Sequence, residues 1–371
     1  MIPESWLAER TRHIELSGIR KVFELGKSLK NPVNLSIGQP HFPVPEPVRE
    51  AAKAAIDAGH NGYTVTQGVA ELRDRLAADA ADRFPSQDRD VLVTSGTSGG
   101  LLLALMAIVN PGDEVVTPDP YFVAYPHMIT LAGGRMVPVT GYPDFALDPD
   151  RIAAAMTPRT KVILLSTPSN PTGVVAAPEA LKAVAELARE RGVLLISDEI
   201  YRAFHYDGPA RSPAEWDENV LVVEGFGKTY AMTGWRLGWA HGPKRLLAEM
   251  AKLQQFTYVC APSMAQHAGV AALDYDVTAL VADYRRKRDR LCDALRDRYE
   301  LAVPGGAFYL FPKSPWGTGT EFVSEAIRNN LLVIPGGTFS GRDTHFRISY
   351  AATDETLDRG IEILNRLATR P

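Results

Sequence analysis

An α/β architecture, in which a mostly parallel sheet is wrapped by helices and accompanied by a smaller α+β domain, is predicted by three features of the sequence. The first is a run of short apolar segments alternating with helical patterns between Asp90 and about Ala240. Asp90–Val93, Glu114–Thr117, Met136–Val139, Lys161–Ser166, Val193–Ser197 and Val220–Glu224 read as strands. Strands that alternate with helices pair in parallel and are covered on both faces. The second is a change of pattern beyond about Tyr275. A long charged helix, Asp283 to Tyr299, is followed by strands at Ala307–Phe311, Leu331–Ile334 and Phe346–Ser349 around one helix, then by a closing helix. The third is the Pro-rich stretch Pro40–Pro47, which separates the segment Ile14–Gln39 from the sheet. That segment belongs spatially to the small domain or bridges the two. The expected division is 45–274 for the large domain and 1–44 with 275–371 for the small one.

One helix is well marked. Pro178 suits a first helical position, Leu181, Val184 and Leu187 share a face, and Gly192 follows the last turn. The next strand ends at Asp198. In open sheets of this kind ligands gather beyond the carboxyl ends of strands. The segments to inspect for chemistry are therefore Ser95–Gly100, Asp119–Phe122, Thr167–Gly173, Asp198–Tyr201 and Gly225–Lys228.

Composition narrows the partners. The chain has 371 residues, 45% hydrophobic and 23% charged, enough for two domains or for one with an appendage. A formal net charge of −4 and the lack of any run of Lys or Arg argue against nucleic acid and against an anionic membrane surface. A small-molecule partner is expected. The two cysteines, Cys260 and Cys292, form no CxxC and no metal-type spacing with histidine, so neither a disulfide framework nor a metal site is indicated. The segment Met1–Arg12 mixes charges with Pro3 and lacks an apolar core, and no later stretch has the apolar length of a membrane span. A soluble cytoplasmic protein is expected.

The segment Glu224-Gly-Phe-Gly-Lys-Thr-Tyr-Ala-Met-Thr-Gly-Trp-Arg-Leu-Gly238 follows an apolar strand and sets Lys228 among small residues, where backbone can approach a ligand closely. It is not a nucleotide phosphate loop, because the glycine required five positions before Gly227 is Val222. On residue type alone Lys228 is a surface lysine, Asp198 a helix cap, Asn170 before Pro171 a turn residue and Phe122 a core aromatic. What distinguishes them is that all stand at successive strand ends.

At this point the chain resembles the class I/II aminotransferases of the aspartate aminotransferase type, with fold-type I pyridoxal-phosphate architecture. The resemblance runs from about His13 to Ala352. It is carried by Ser36-Ile-Gly-Gln-Pro40, Tyr63-Thr-Val-Thr-Gln-Gly68, Pro111-Gly-Asp-Glu-Val115, Ser169-Asn-Pro-Thr-Gly173, Ser197-Asp-Glu-Ile-Tyr201, Gly227-Lys-Thr followed by Gly234-Trp-Arg-Leu-Gly238, and Phe346-Arg-Ile-Ser-Tyr350. It implies a large domain with a mostly parallel seven-stranded sheet between helices, pyridoxal 5'-phosphate as cofactor, and transfer of an amino group between an L-amino acid and a 2-oxo acid such as pyruvate or 2-oxoglutarate.

The resemblance also implies roles. Lys228 matches the lysine that joins the cofactor aldehyde as a Schiff base and then shuttles the proton. Asp198 matches the carboxylate that favours a protonated ring nitrogen, and Tyr201 and Asn170 match the groups that hydrogen-bond the ring's phenolic oxygen. Thr97 and Ser98, in a Gly-containing loop that opens an apolar helix, match phosphate contacts, and Arg236 matches the phosphate's cation. Phe122 takes the position of the ring that stacks on the cofactor. Arg347 matches the arginine that grips the substrate α-carboxylate, and Gly38 a backbone contact to the same group. Tyr63 matches a tyrosine that reaches the phosphate of the neighbouring subunit, which implies a homodimer with shared sites.

The chain departs from the family where serines are common, at Gly225 and Gly227. Missing hydroxyls there predict weaker cofactor retention, at about 1.5–3 kcal/mol per lost hydrogen bond to a charged group unless another donor substitutes. Ile19, Phe122, Phe308 and Tyr309 are expected to form an apolar wall of the substrate pocket. Two alternatives stand beside transamination. The same cofactor and fold also support β-elimination, racemisation or decarboxylation. An effector-binding module of a transcription regulator would instead need a DNA-binding head and a basic tract.

Overall fold

Strands form where the apolar runs are bounded by turn residues, and their side chains fix which face each residue serves. The computed structural model of the protein describes residues 3–16, 18–26, 29–85 and 87–369. The outermost residues of the predicted small domain, 1–2 and 370–371, lie outside the described residues. A two-residue strand, β1 (Val33–Asn34), precedes seven strands that build one sheet: β2 (Arg89–Thr94), β3 (Glu114–Asp119), β4 (Arg135–Thr140), β5 (Thr160–Ser166), β6 (Leu194–Asp198), β7 (Leu221–Gly225) and β8 (Gly238–Pro243). The order across the sheet is β2-β8-β7-β6-β5-β3-β4.

Six of these strands coincide with the predicted apolar runs. The seventh, β8, does not. Its sequence Gly-Trp-Ala-His-Gly-Pro carries two glycines and a proline and no β-branched residue, so it has no local strand signal. It becomes a strand because β2 and β7 offer it edges on both sides, and it pairs antiparallel to each. The sheet is therefore mixed, with one antiparallel strand inserted beside an otherwise parallel set.

Alternation along the central strands divides the core into two layers. Val162 and Leu164 of β5 pack with Leu101, Leu105, Tyr125 and Met250 on one face. Ile163 and Leu165 pack with Leu181, Val184, Ala185 and Ala188 on the other. The latter four come from the helix Pro178–Arg191, which starts on Pro178 and stops at Gly192 in the left-handed conformation, as its sequence predicts. No helix among the described residues is long and apolar enough to cross a membrane.

The remaining strands are short: β9 (Tyr309–Leu310), β10 (Leu331–Leu332), β11 (Ile334–Pro335) and β12 (Phe346–Ser349). The strand expected at Ala307–Phe311 is confined to two residues, because Ala307 takes a left-handed backbone (φ 54°) that stops the ladder. The strand expected at Leu331–Ile334 splits at Val333 into two pieces with different partners. One of them, β10, pairs in parallel with β1, so the chain before Pro40 folds onto the C-terminal part. The charged helix begins earlier than expected, at Thr278, and ends at Leu295; Tyr299 enters the core from the following turn.

The Ser169–Gly173 turn lies against the β9 segment. Gly173 has φ +70°, and a Cβ there would stand 2.6 Å from the Tyr309 carbonyl and 3.0 Å from that of Gly306. Its own carbonyl accepts the Gly306 N–H at 3.0 Å. Gly173→Ala is expected to destabilise the protein by at least about 1–2 kcal/mol from the backbone conformation alone, with the contact adding to that. Chemical denaturation of the variant measures it, and an unchanged midpoint would contradict the close approach.

Candidate active site

Strand ends deliver the groups. Beyond the carboxyl edges of β2, β5, β6 and β7 lies a cavity of about 240 Å³. Of the eleven residues given catalytic, cofactor or carboxylate roles by the family resemblance, ten line it: Gly38, Thr97, Ser98, Phe122, Asn170, Asp198, Tyr201, Lys228, Arg236 and Arg347. Tyr63 is the exception. It is 86% exposed on the surface, on a segment stapled by Gln266 Nε2 to Thr64 Oγ1 at 3.1 Å and by Gln254 Nε2 to the Thr66 carbonyl at 2.6 Å.

Lys228 sits in the one-turn helix Phe226–Thr229 that follows β7. Phe226 anchors that turn by packing on Trp239 with a ring separation of 5.0 Å. The Lys228 amine donates to the Gly38 carbonyl at 2.5 Å. Burial, reinforced by Arg347 and Arg236, brings its ionisation down from 10.5 to about 8, with Asp198 opposing. An amine that titrates near 8 is still mostly a cation at physiological pH but keeps a far larger neutral, nucleophilic and basic fraction than an ordinary lysine does.

Asp198 closes β6 with its carboxylate inside. Oδ2 accepts the Tyr125 hydroxyl at 2.7 Å and Oδ1 the Ile200 N–H at 3.3 Å. Burial raises its ionisation to about 6. Tyr201 and Tyr309 share a hydrogen bond of 2.8 Å between their hydroxyls, and burial holds both in the protonated form.

Arg347, on β12, is 1% exposed. Its guanidinium donates from Nη1 to Asn170 Oδ1 at 2.9 Å and from Nη2 to the Ser36 carbonyl at 2.7 Å. It lies between the rings of Tyr309 and Phe339, 4.6 and 4.7 Å from their centroids. Its Nε has no partner, and no carboxylate among the described residues pairs with it. Because Asn170 accepts through Oδ1, its amide NH2 is left for another acceptor. Gly38 must be glycine here, since a Cβ would meet the Tyr309 hydroxyl at 2.5 Å.

At the other end of the cavity the helix Gly96–Ile108 presents its first turn without a side-chain cap, leaving N–H groups free. Arg236 packs on that turn, 2.6 Å from where a Gly96 Cβ would stand, and donates to the Thr233 carbonyl at 2.9 Å. Phe122 meets Tyr125 edge to face, with centroids 5.6 Å apart. This donor set fits a phosphorylated pyridine aldehyde: amides and a guanidinium at one end, a buried carboxylate in the middle, an activated amine beside it.

One expectation needs correction. Phe308 does not line the cavity; it lies in the turn before β9 with its ring in the core against Phe204 and Tyr284, while Tyr309, the first residue of β9, faces the site. Ile19 does line it. Tyr125 was absent from the sequence reading although it bonds Asp198 directly, and its one local signal is its place three residues after Phe122. Ser166, at the end of β5, also lines the cavity. Among the described residues no group of three or more His, Cys, Asp or Glu side chains is placed to hold a metal ion.

Comparison with known proteins agrees with this arrangement. A family model described as aminotransferase class I and II matches residues 30–364. A probable aspartate aminotransferase of Methanocaldococcus jannaschii is 34% identical, over 97% of this chain and 99% of the relative. An aromatic-amino-acid aminotransferase of Thermococcus litoralis is 33% identical, over 97% and 98% respectively. The solved structure of Thermus thermophilus aspartate aminotransferase with maleate superposes with a TM-score of 0.91 at 35% identity, covering 97% of this chain and 99% of that one.

The missing serines acquire a physical explanation. A Cβ on Gly225 would stand 2.7 Å from Thr97 Oγ1, so the threonine hydroxyl already fills that space. At Gly227 the nearest atom would be 3.6 Å away, leaving room for a side chain. Gly227→Ser is therefore expected to slow cofactor loss relative to the parent, whereas Gly225→Ser is expected to gain nothing. Dissociation rates into a cofactor-scavenging buffer measure both, and equal rates for parent and Gly227→Ser would count against a hydroxyl deficit.

Proposed function

The chain belongs to the aminotransferase class I and II family and is an aminotransferase, and we propose that it moves the amino group of an L-amino acid to a 2-oxo acid in the cavity around Lys228. Pyruvate or 2-oxoglutarate is the proposed acceptor. The observation that carries the reading is Arg347, a guanidinium sealed from solvent without a carboxylate partner among the described residues, opening onto the same cavity as Lys228. A buried charge left unpaired is strongly destabilising. An α-carboxylate would relieve that cost through the paired hydrogen bonds that a planar guanidinium offers.

We assign pyridoxal 5'-phosphate as the cofactor. When bound, it supplies an aldehyde that takes up amino groups and a ring that withdraws electrons from the substrate α-carbon. Thr97, Ser98 and Arg236 would hold its phosphate, Asp198 its ring nitrogen, and Tyr201 with the free amide of Asn170 its phenolic oxygen. Phe122 would lie against its ring and Lys228 would bind its aldehyde. Lys228 Nζ, oriented by the Gly38 carbonyl 2.5 Å away, would be the base that takes the proton from the substrate α-carbon. Arg347, with Gly38 beside it, fixes the carboxylate so that the α-proton faces Lys228.

Arg236 and Arg347 are the arginines lining the cavity, and both already have work at fixed ends. Among the described residues no third one lines the cavity for a distal carboxylate, and Ile19, Phe122 and Tyr309 present apolar surface, which supports an apolar or aromatic amino donor. Tyr63, exposed and outside its own cavity, supports a homodimer in which it completes the partner's phosphate site. We further propose the domain division 45–274 and 1–44 with 275–371, supported by the pairing of β1 with β10. A cytoplasmic setting is consistent with Cys260 and Cys292 remaining free thiols.

The test is an absorbance spectrum of the purified protein, then a panel of amino acids with and without 2-oxoglutarate or pyruvate. A near-visible band that shifts with an apolar or aromatic donor and returns with an oxo acid is the expected result; no band after adding pyridoxal phosphate would overturn the site. Lys228→Ala is expected to abolish turnover and the band of the lysine-linked cofactor, and sustained transamination by that variant would remove Lys228 from its role.

Cofactor-free protein should capture pyridoxal phosphate at a rate that rises with pH and levels off above about pH 8, because the neutral amine is the reactive form. Stopped-flow mixing across that range measures it. A rise continuing towards 10.5 would mean that Lys228 behaves as an ordinary lysine.

A further inference from the structure

Among the described residues the Asp198 carboxylate receives two hydrogen bonds: from the backbone N–H of Ile200 at 3.3 Å and from the hydroxyl of Tyr125 at 2.7 Å. The second is the shorter and comes from a side chain that is 2% exposed. Tyr125 lies in the first turn of the helix Tyr125–Leu131, locked by the Phe122 ring and by the core around Leu101, Leu105 and Ile129. It does not reach the cavity itself, which is lined by Asp198. Other charged neighbours do not substitute for it. Glu199 is engaged elsewhere, with Arg83 at 2.9 Å and the Ser197 hydroxyl at 2.9 Å, and Lys228 bonds Gly38.

We propose that Tyr125 is a positioning residue for the reaction, holding the Asp198 carboxylate ionised and aimed at the cavity so that the proton shared with the cofactor ring nitrogen rests on the nitrogen. This rests on the reading of Asp198 as the ring-nitrogen partner. The argument is one of competing proton positions. A carboxylate enclosed by apolar side chains favours its neutral form, and a donor hydrogen bond favours the anion. Between Asp198 and a pyridine the same choice becomes anion with protonated ring or neutral acid with neutral ring. The Tyr125 hydroxyl tips it to the first, because burial and the adjacent carboxylate keep that hydroxyl protonated and donating. A hydrogen bond to a charged group is strong enough for its loss to shift such a ratio about tenfold or more. A protonated ring is the stronger electron sink, so the effect falls on the chemical step and not on substrate binding.

The experiment compares the holoenzyme with Tyr125→Phe and Asp198→Ala holoenzymes, each loaded with pyridoxal phosphate carrying ¹⁵N at the ring nitrogen. In Tyr125→Phe the ring-nitrogen resonance is expected to move towards its unprotonated position, with kcat down about tenfold and KM for the amino donor little changed. Placing 3-fluorotyrosine at position 125, a stronger donor that keeps the hydroxyl, is expected to leave the nitrogen protonated and kcat near the parent value. If Asp198→Ala leaves the resonance unmoved, the reading of Asp198 fails and this proposal with it. If Asp198→Ala moves it while Tyr125→Phe keeps both the parent resonance and the parent kcat, the reading of Asp198 stands and the role of Tyr125 is overturned. A loss of activity in Tyr125→Phe with an unmoved resonance would likewise overturn it, since that marks a merely structural contribution.

Discussion

A guanidinium kept from water without a carboxylate among the described residues to balance it is the constraint on which the rest of the site depends. Arg347 ties three separate parts of the chain to one point: β12 carries it, the loop after β5 contributes Asn170 Oδ1, and the segment before Pro40 contributes the Ser36 carbonyl. Neutral acceptors and two aromatic faces lower the cost of burying the charge without cancelling it. A site built this way keeps affinity for an anion and loses it if any of the three parts moves. The family to which the chain belongs acts on amino acids, whose α-carboxylate is such an anion.

The charge of Arg347 also reaches Lys228. Desolvation alone would lower the lysine's ionisation, and the two arginines at either end of the cavity reinforce it. Asp198 acts in the opposite direction. One buried carboxylate set among three cations leaves the cavity positive, which suits a phosphate and a carboxylate together. Behind the sheet a second group of charges is handled differently. Arg83 meets Glu199 at 2.9 Å and Glu224 at 2.7 Å, and Arg202 meets Glu224 at 2.7 Å, so each ion has its counter-ion within the protein. The contrast separates structural charges, paired internally, from those that await a ligand.

Close packing explains the glycines of the site better than conformational freedom does. Gly38 leaves room for the Tyr309 hydroxyl, and Gly225 for that of Thr97. In each case a hydroxyl from a distant part of the chain fills volume that a side chain would have taken. The Gly-Phe-Gly-Lys run read alone suggests lost hydrogen bonds, whereas its surroundings place a replacement hydroxyl at one of the two positions.

By itself the sequence determined the alternation of strands and helices, the helix from Pro178 to its stop at Gly192, and the strand ends that carry Lys228, Asp198, Asn170 and Thr97, because those signals are local: apolar periodicity, proline at a first turn, glycine after a last one. Arg347 and Gly38 were recognised from ordered motifs rather than from any local physical signal. What only the tertiary structure decided is what depends on contacts between distant segments. The strand Gly238–Pro243 exists because two neighbours pair with it, not because its residues favour extension. Phe308 and Tyr309 differ in role because the turn before β9 packs the first into the core while the strand's first residue meets the cavity, a difference that the run Ala-Phe-Tyr-Leu-Phe does not encode. Tyr125 meets Asp198 across 73 residues of chain, and no pattern within either segment announces that bond. Local free-energy preferences are written in neighbouring residues, while the hydrogen bonds and charge balance that make a site arise only when folding brings remote residues within about 3 Å of each other.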